Sequence, residues 1–163
     1  MKISRISVYQ VNLPLEYPYW LSGGRLKFEC LDATLVKIET DEGHVGWGEG
    51  TPWGHTYVPA HGPGIRAGIE TMAPFIMGLD PRRVLDVERA MDLALPGHLY
   101  AKSPIDLACW DIAGQSAGVP IADLMGADHA HRNQSHPRSG RKPSKKRAKL
   151  WTATVHVDIS PIP

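Results

Sequence analysis

Apolar and polar positions alternate across residues 3–13, with Tyr9, Val11 and Leu13 on one face and Ser7, Gln10 and Asn12 supplying the polar alternation. A period of two predicts a strand, and Pro14, which has no N–H to give to a ladder, stops it. Residues 15–29 have no period. They carry Tyr17-Pro18-Tyr19-Trp20 and then Ser22-Gly23-Gly24, a composition that reads as an exposed, mobile loop. Residues 31–40 form a second predicted strand, Asp41-Glu42-Gly43 a tight turn and residues 44–49 a third strand, so the last two make a hairpin.

Residues 50–64 read as another loop, holding Trp53, His55, Tyr57 and His61 among prolines and glycines. Helical spacing then takes over. A first helix is predicted over residues 65–76, ending near Gly78. Asp80-Pro81 reads as an N-cap followed by proline at the first helical position. Val84, Val87, Met91 and Leu95 continue it as an apolar stripe that ends at Pro96-Gly97. Ser103-Pro104 repeats the start signal, and Ile105, Ala108, Cys109, Ile112 and Ala113 share one face at steps of three and four. Gly118 and Pro120 close that helix, and residues 121–125 form a last short turn. Strands first and helices afterwards predict an α+β domain, a three-stranded antiparallel sheet followed by a helical bundle.

Charge divides the chain where the pattern ends. Residues 1–126 hold 10 Lys and Arg against 15 Asp and Glu, a net of −5, whereas residues 127–163 hold 8 against 2, a net of +6. The overall +1 is therefore a cancellation between unlike segments. Residues 127–149 have almost no branched apolar residues, and residues 127–163 are expected to be a basic, disordered tail. Three readings of that tail stand: an out-of-frame terminus of a GC-rich gene, a solvated linker, or a basic arm for nucleic acid. Trp151, Ala153, Val155, Val157 and Ile159 alternate as a strand would, but nothing earlier in the sequence supplies a partner.

The 163 residues accommodate one domain with a sizeable core but not a complete eight-fold strand–helix barrel, which needs roughly 200–250. Cys30 and Cys109 have no metal or disulfide spacing; they read as core thiols in a reducing cytoplasm. Neither a secretory signal nor an apolar run of about 18 residues is evident, so a soluble, cytoplasmic chain is expected.

Few segments carry chemistry. Gly46-Trp47-Gly48-Glu49-Gly50 lacks the spacing of a dinucleotide fingerprint, and its alternate glycines suit the close approach of another backbone. His129, His131 and His136 lie in the basic segment without acidic partners, and His55 and His61 are separated by Pro59 and flanked by Gly54 and Gly62, so neither group reads as a metal site. Asp106 and Asp111, five apart, do not share a helix face, and Asp111 reads as capping or pairing with a neighbouring segment, not as an acid.

The run from Gly46 to Gly50, the segment Ala101-Lys102-Ser103-Pro104-Ile105-Asp106-Leu107-Ala108-Cys109-Trp110-Asp111-Ile112-Ala113-Gly114, and the ending Gly118-Val119-Pro120-Ile121-Ala122-Asp123-Leu124-Met125-Gly126 resemble the N-terminal capping domain of the enolase superfamily, and within it the mandelate racemase/muconate lactonizing enzyme family. The resemblance covers residues 1–126 as one capping domain and leaves residues 127–163 as an unrelated tail. It implies enzymes that remove the proton α to a carboxylate, with Mg2+ held by three barrel carboxylates and catalytic lysines or a histidine on barrel strands.

None of those barrel elements is found here, so no catalytic residue is assigned, and no metal is expected to be bound by this chain. The reading is a racemase, epimerase or dehydratase truncated after Gly126 and silent on its own. A lid role places residues 15–29 and 50–64 over the substrate, with Trp20, Trp53, His55 and Tyr57 facing it and Tyr19 as a further candidate. The second loop resembles that of hydroxyproline dehydratases and proline-betaine epimerases, which implies a small, proline-like carboxylate. Each aromatic has a plainer role open to it, anchoring its loop to the sheet. Self-association through exposed helix faces is also expected, and the alternative function is a small binding protein that contacts nucleic acid or another anionic partner through its basic tail.

Overall fold

The protein was analysed as a computed structural model, which describes residues 1–126 and 153–159. Strand β1 runs Ile3–Leu21, β2 Leu26–Thr40 and β3 Val45–Gly50; helices α1 Gly62–Ile76, α2 Val84–Ala94, α3 Leu99–Ala117 and α4 Ile121–Leu124 follow, and β4 spans Ala153–Ile159. The basic segment over residues 127–152, its three histidines and the nucleic-acid reading fall outside the described residues, whereas residues 153–159 of the tail expected to be disordered form a strand.

The class is α+β, as the pattern requires, but the sheet has four strands in the order β3-β2-β1-β4, not three. The expectation that the C-terminal alternation lacks a partner is wrong. β4 lies antiparallel on β1, pairing Ile6 with Ile159, Val8 with Val157 and Val11 with Ala153. Sequence alternation marks a strand but does not say which distant edge will accept it.

The core forms where one sheet face meets the helices. Ile6 pairs with Ile38 and Val8 with Val36, and all four are fully buried against Ile69, Met72, Ile105, Ala108 and Ile112. Each such side chain contributes about 1.5–3 kcal/mol by leaving water. Helix α3 crosses β3 at very short range. A Cβ built on Gly46 would lie 2.2 Å from the Ala108 carbonyl oxygen, and one on Gly48 only 1.9 Å from that of Pro104. The alternate glycines thus serve backbone approach, and Asp111 pairs with the neighbouring strand by accepting a 2.9 Å hydrogen bond from the Trp47 N–H.

Two helix starts differ from expectation. Asp80 does not cap α2, which begins at Val84; its Oδ1 accepts from the Arg82 N–H at 3.0 Å and closes the preceding turn. Burial of Val84, Val87 and Met91 fixes the helix instead. Pro104 does not open α3 but sits inside it, five residues past Leu99. Ala101, Pro104, Ile105 and Ala108 form one continuous buried stripe, and that packing overrides the local start signal. Cys109 is buried as expected, whereas Cys30 is exposed, because it lies on the part of β2 that extends beyond the helices. The helices leave Phe75, Leu85 and Leu93 exposed, Leu93 at 87%. Among the described residues, no helix is long and apolar enough to cross a membrane.

Candidate functional site

The segment expected to be a loop, residues 15–29, is a hairpin arm. β1 does not stop at Pro14, which pairs with Cys30; the register slips after it and resumes with Tyr19 opposite Phe28 and Trp20 opposite Lys27. Proline costs the ladder one donor, and aromatic cross-strand pairs restore pairing beyond it. The arm closes through Ser22–Gly24, where Gly23 and Gly24 take φ of 65° and 88°.

Alternation along the strands gives the arm two faces. On one, Tyr19 and Phe28 straddle Trp53 from the loop after β3, with ring centroids 4.7 Å and 5.7 Å from it, the Phe28 contact edge-on. Gly54, at φ 63°, lets Phe28 lie against the loop, since a Cβ there would come within 2.7 Å of its ring. On the other face the Trp20 ring lies under the Lys27 ammonium, 5.4 Å from its centroid, and Lys27 also pairs with Glu29. The four predicted residues therefore do not converge on one point. Trp53 is half-buried within the aromatic cluster, Trp20 is on the opposite face of the arm, and His55 and Tyr57 are exposed farther along the loop.

Behind the loop, Asp32 and Arg66 form a fork, Nη1–Oδ1 2.9 Å and Nη2–Oδ2 3.0 Å, and Nη1 also donates to Thr34 Oγ1 at 3.2 Å. Arg66 is buried, so this bidentate pair ties the start of α1 to β2. His61 caps α1, its Nδ1 accepting from the Gly64 N–H at 3.2 Å. A hollow of about 190 Å³ lies here, lined by Asp32, Pro52, Gly54, His55 and His61. Sequence reasoning missed Phe28, Asp32 and Arg66. Phe28 was legible as the continuation of β2 once the arm is seen as a hairpin, but the Asp32–Arg66 pair is 34 residues apart and left no local signal.

Several acids are engaged structurally. Asp80 pairs with Arg82 and is held below the usual carboxylate range mainly by its side-chain hydrogen bonds, and Asp92 pairs with the buried Lys102. Asp106 is pushed upward, first by burial and then by Glu88, with a Trp110 hydrogen bond opposing. Burial, with Asp106 adding to it, pushes the Cys109 thiol up to about 12. Among the described residues no three His, Cys, Asp or Glu side chains converge to hold a metal ion.

Residues 4–126 match the family Mandelate racemase / muconate lactonizing enzyme, N-terminal domain. The chain belongs to that family. A similar curated protein is the cis-3-hydroxy-L-proline dehydratase of Roseibium aggregatum, 47% identical over 127 residues that make up 77% of this chain and 34% of the relative. A crystal structure of a mandelate racemase/muconate lactonizing-type protein from Silicibacter pomeroyi superposes with a TM-score of 0.72 at 79% identity, covering 78% of this chain and 33% of that one. An enolase-superfamily member from Roseovarius nubinhibens, complexed with magnesium, superposes at 0.71 with 62% identity over 77% of this chain and 33% of its own. This chain thus spans about a third of the length of the relatives it matches, and the family's N-terminal domain covers β1–β3 and the four helices but not β4.

Proposed function

We propose that residues 1–126 are the substrate-selecting lid of an enzyme that removes the proton α to the carboxylate of a proline-like amino acid. The observation that carries this reading is the Tyr19–Trp53–Phe28 cluster, which joins the hairpin arm to the loop after β3 and leaves Trp20, on the arm's other face, and His55 and Tyr57, farther along the loop, exposed. A lid needs two properties at once, a rigid join to its domain and free groups to meet a ligand. Trp20 already holds one ammonium over its ring, and aromatic faces attract a ring ammonium by roughly 0.5–2 kcal/mol. The similarity to a cis-3-hydroxy-L-proline dehydratase supports that substrate class.

The described carboxylates do not fit a magnesium cage: those of Asp32, Asp80 and Asp92 are each committed to an Arg or Lys, and no three potential ligands gather. Residues 1–126 contribute fit, orientation and water exclusion to such a reaction, and no chemical step is assigned to them. Metal and proton-transfer groups belong to a barrel beyond this domain, and the exposed Phe75, Leu85 and Leu93 offer apolar surface for contact with other protein, a second copy included.

A chimaera tests the reading. Residues 1–126 replace the matching segment of the Roseibium aggregatum dehydratase, and kcat/KM is measured on that enzyme's substrate. Activity is expected to survive, and Trp20→Ala, His55→Ala or Tyr57→Ala to raise KM several-fold at little cost to folding. If all three substitutions leave KM and kcat unchanged, the lid assignment is wrong. This chain alone is expected to give no magnesium-dependent exchange of the substrate's α-deuterium.

A further inference from the structure

The two edges that residues 1–126 leave on their sheet are treated differently. The outer edge of β3 is closed from within the domain: Asp111 Oδ2 accepts from the Trp47 N–H at 2.9 Å, Gln115 Nε2 donates to the Val45 carbonyl at 2.8 Å, and α3 lies against the strand. On the outer edge of β1, residues 1–126 close only the start, where the Ile3 N–H donates to the Leu79 carbonyl at 2.8 Å and the Gly78 N–H to the Ile3 carbonyl at 2.9 Å. Its backbone over residues 6–11 is met instead by β4. An uncovered edge presents a row of unpaired N–H and C=O groups and is a template for another strand.

We infer that this β1 edge is a strand-acceptor site for an extended peptide segment bound antiparallel, which presents an acid opposite Ser7 to Arg5, and that residues 153–159 are its occupant in cis. Main-chain pairing supplies the general affinity of such strand addition, and side chains at fixed positions supply its selectivity. Two contacts fix the register here. The Arg5 guanidinium grips Asp158 as a fork, Nε–Oδ1 2.8 Å and Nη2–Oδ2 2.7 Å, and Ile159 packs against the core beside Ile6. A slip of one residue would turn Ile159 to the other face and bring Val157 or Ile159 to Arg5 in place of the acid. The irregularity between Val8 and Tyr9 further pins the strand at one position. The site thus selects a strand that carries an acid followed by a branched apolar residue, and it is independent of the lid reading.

The test uses the full chain with Val157→Pro and Asp158→Pro together, because one of two successive N–H groups in an edge strand points at its neighbour and proline removes both. A fluorescent peptide of residues 152–160 is titrated by anisotropy. The double-proline chain is expected to bind it at least tenfold more tightly than the unaltered chain, whose site is filled. The same peptide with Asp158→Arg should bind about fivefold more weakly, and Arg5→Asp in the protein should reverse that preference. A second measurement does not depend on the proline variant: hydrogen exchange of the residue 6–11 amides in the full chain should quicken several-fold with Arg5→Asp and slow again in Arg5→Asp/Asp158→Arg. Equal peptide binding by both chains, indifference to the charge reversal, or unchanged exchange in Arg5→Asp would each overturn the inference.

Discussion

Replacing Gly48 by alanine puts a methyl group where α3 already lies. The added Cβ would stand 1.9 Å from the Pro104 carbonyl oxygen, 2.8 Å from its carbon and 3.1 Å from the Ala108 nitrogen. Ordinary contact begins near 3.4 Å, so helix and strand must part by roughly 1.5 Å. The obstacle is backbone and cannot rotate away. Overpacking costs about 1–3 kcal/mol where side chains give, and parting also strips dispersion contacts from Ile105, Ala108 and Ile112. The 2.9 Å bond from Trp47 to Asp111 would stretch past hydrogen-bonding range, adding about 1 kcal/mol. The expected loss is therefore about 4 kcal/mol, a large part of the roughly 5–15 kcal/mol that holds a domain together.

Urea titration followed by circular dichroism measures it. With a slope of about 2 kcal/mol per molar, the midpoint should fall by about 2 M. Gly64→Ala is the control. Its Cβ would meet only the His61 imidazole, an exposed side chain that can swing aside, and alanine gains about 1 kcal/mol over glycine in a helix. The disturbed cap offsets part of that gain, so the change should stay within about 1 kcal/mol. If Gly48→Ala also stays within 1 kcal/mol, the close crossing of α3 over β3 is not what the two glycines are for.

Other outcomes follow from the same structure. Trp53→Ala should cost about 1–3 kcal/mol and speed hydrogen exchange across residues 19–28, which are distant in sequence, whereas Trp53→Phe should retain most of that protection; equal effects would place no latch at Trp53. A thiol reagent at pH 8 should modify Cys30 in the native chain and reach Cys109 only after unfolding. Because burial raises the native Cys109 thiol from 9.0 to about 12, the folded state keeps a proton that the unfolded chain releases. That stability is complete below pH 9 and lost as pH rises toward 12, by up to about 1.4 kcal/mol per unit, and Cys109→Ala should flatten this slope in alkaline denaturation curves.

The sequence alone carried the order of elements, because burial on one side imposes a period of two on a strand and of three to four on a helix. Val36 and Ile38, Val84, Val87 and Met91, and Ile105, Ala108, Cys109 and Ile112 are buried as their spacing demands. It carried the purpose of Gly46 and Gly48 and the pairing of Asp111 as well, since a missing side chain in a strand leaves few other reasons for itself. Start signals proved weaker: Asp80-Pro81 and Ser103-Pro104 are local preferences worth about a kilocalorie, and the buried stripes on either side outweigh them. Only the tertiary structure could turn residues 15–29 from a loop into an arm, because Tyr19 and Phe28 pair across it and both rings meet Trp53 from another segment. The same holds for Asp32 with Arg66 and for β4 on β1. Each joins groups whose chain separation leaves no periodic mark, so the partner is chosen by where the folded sheet places an edge or a charge and not by any residue's neighbours in sequence.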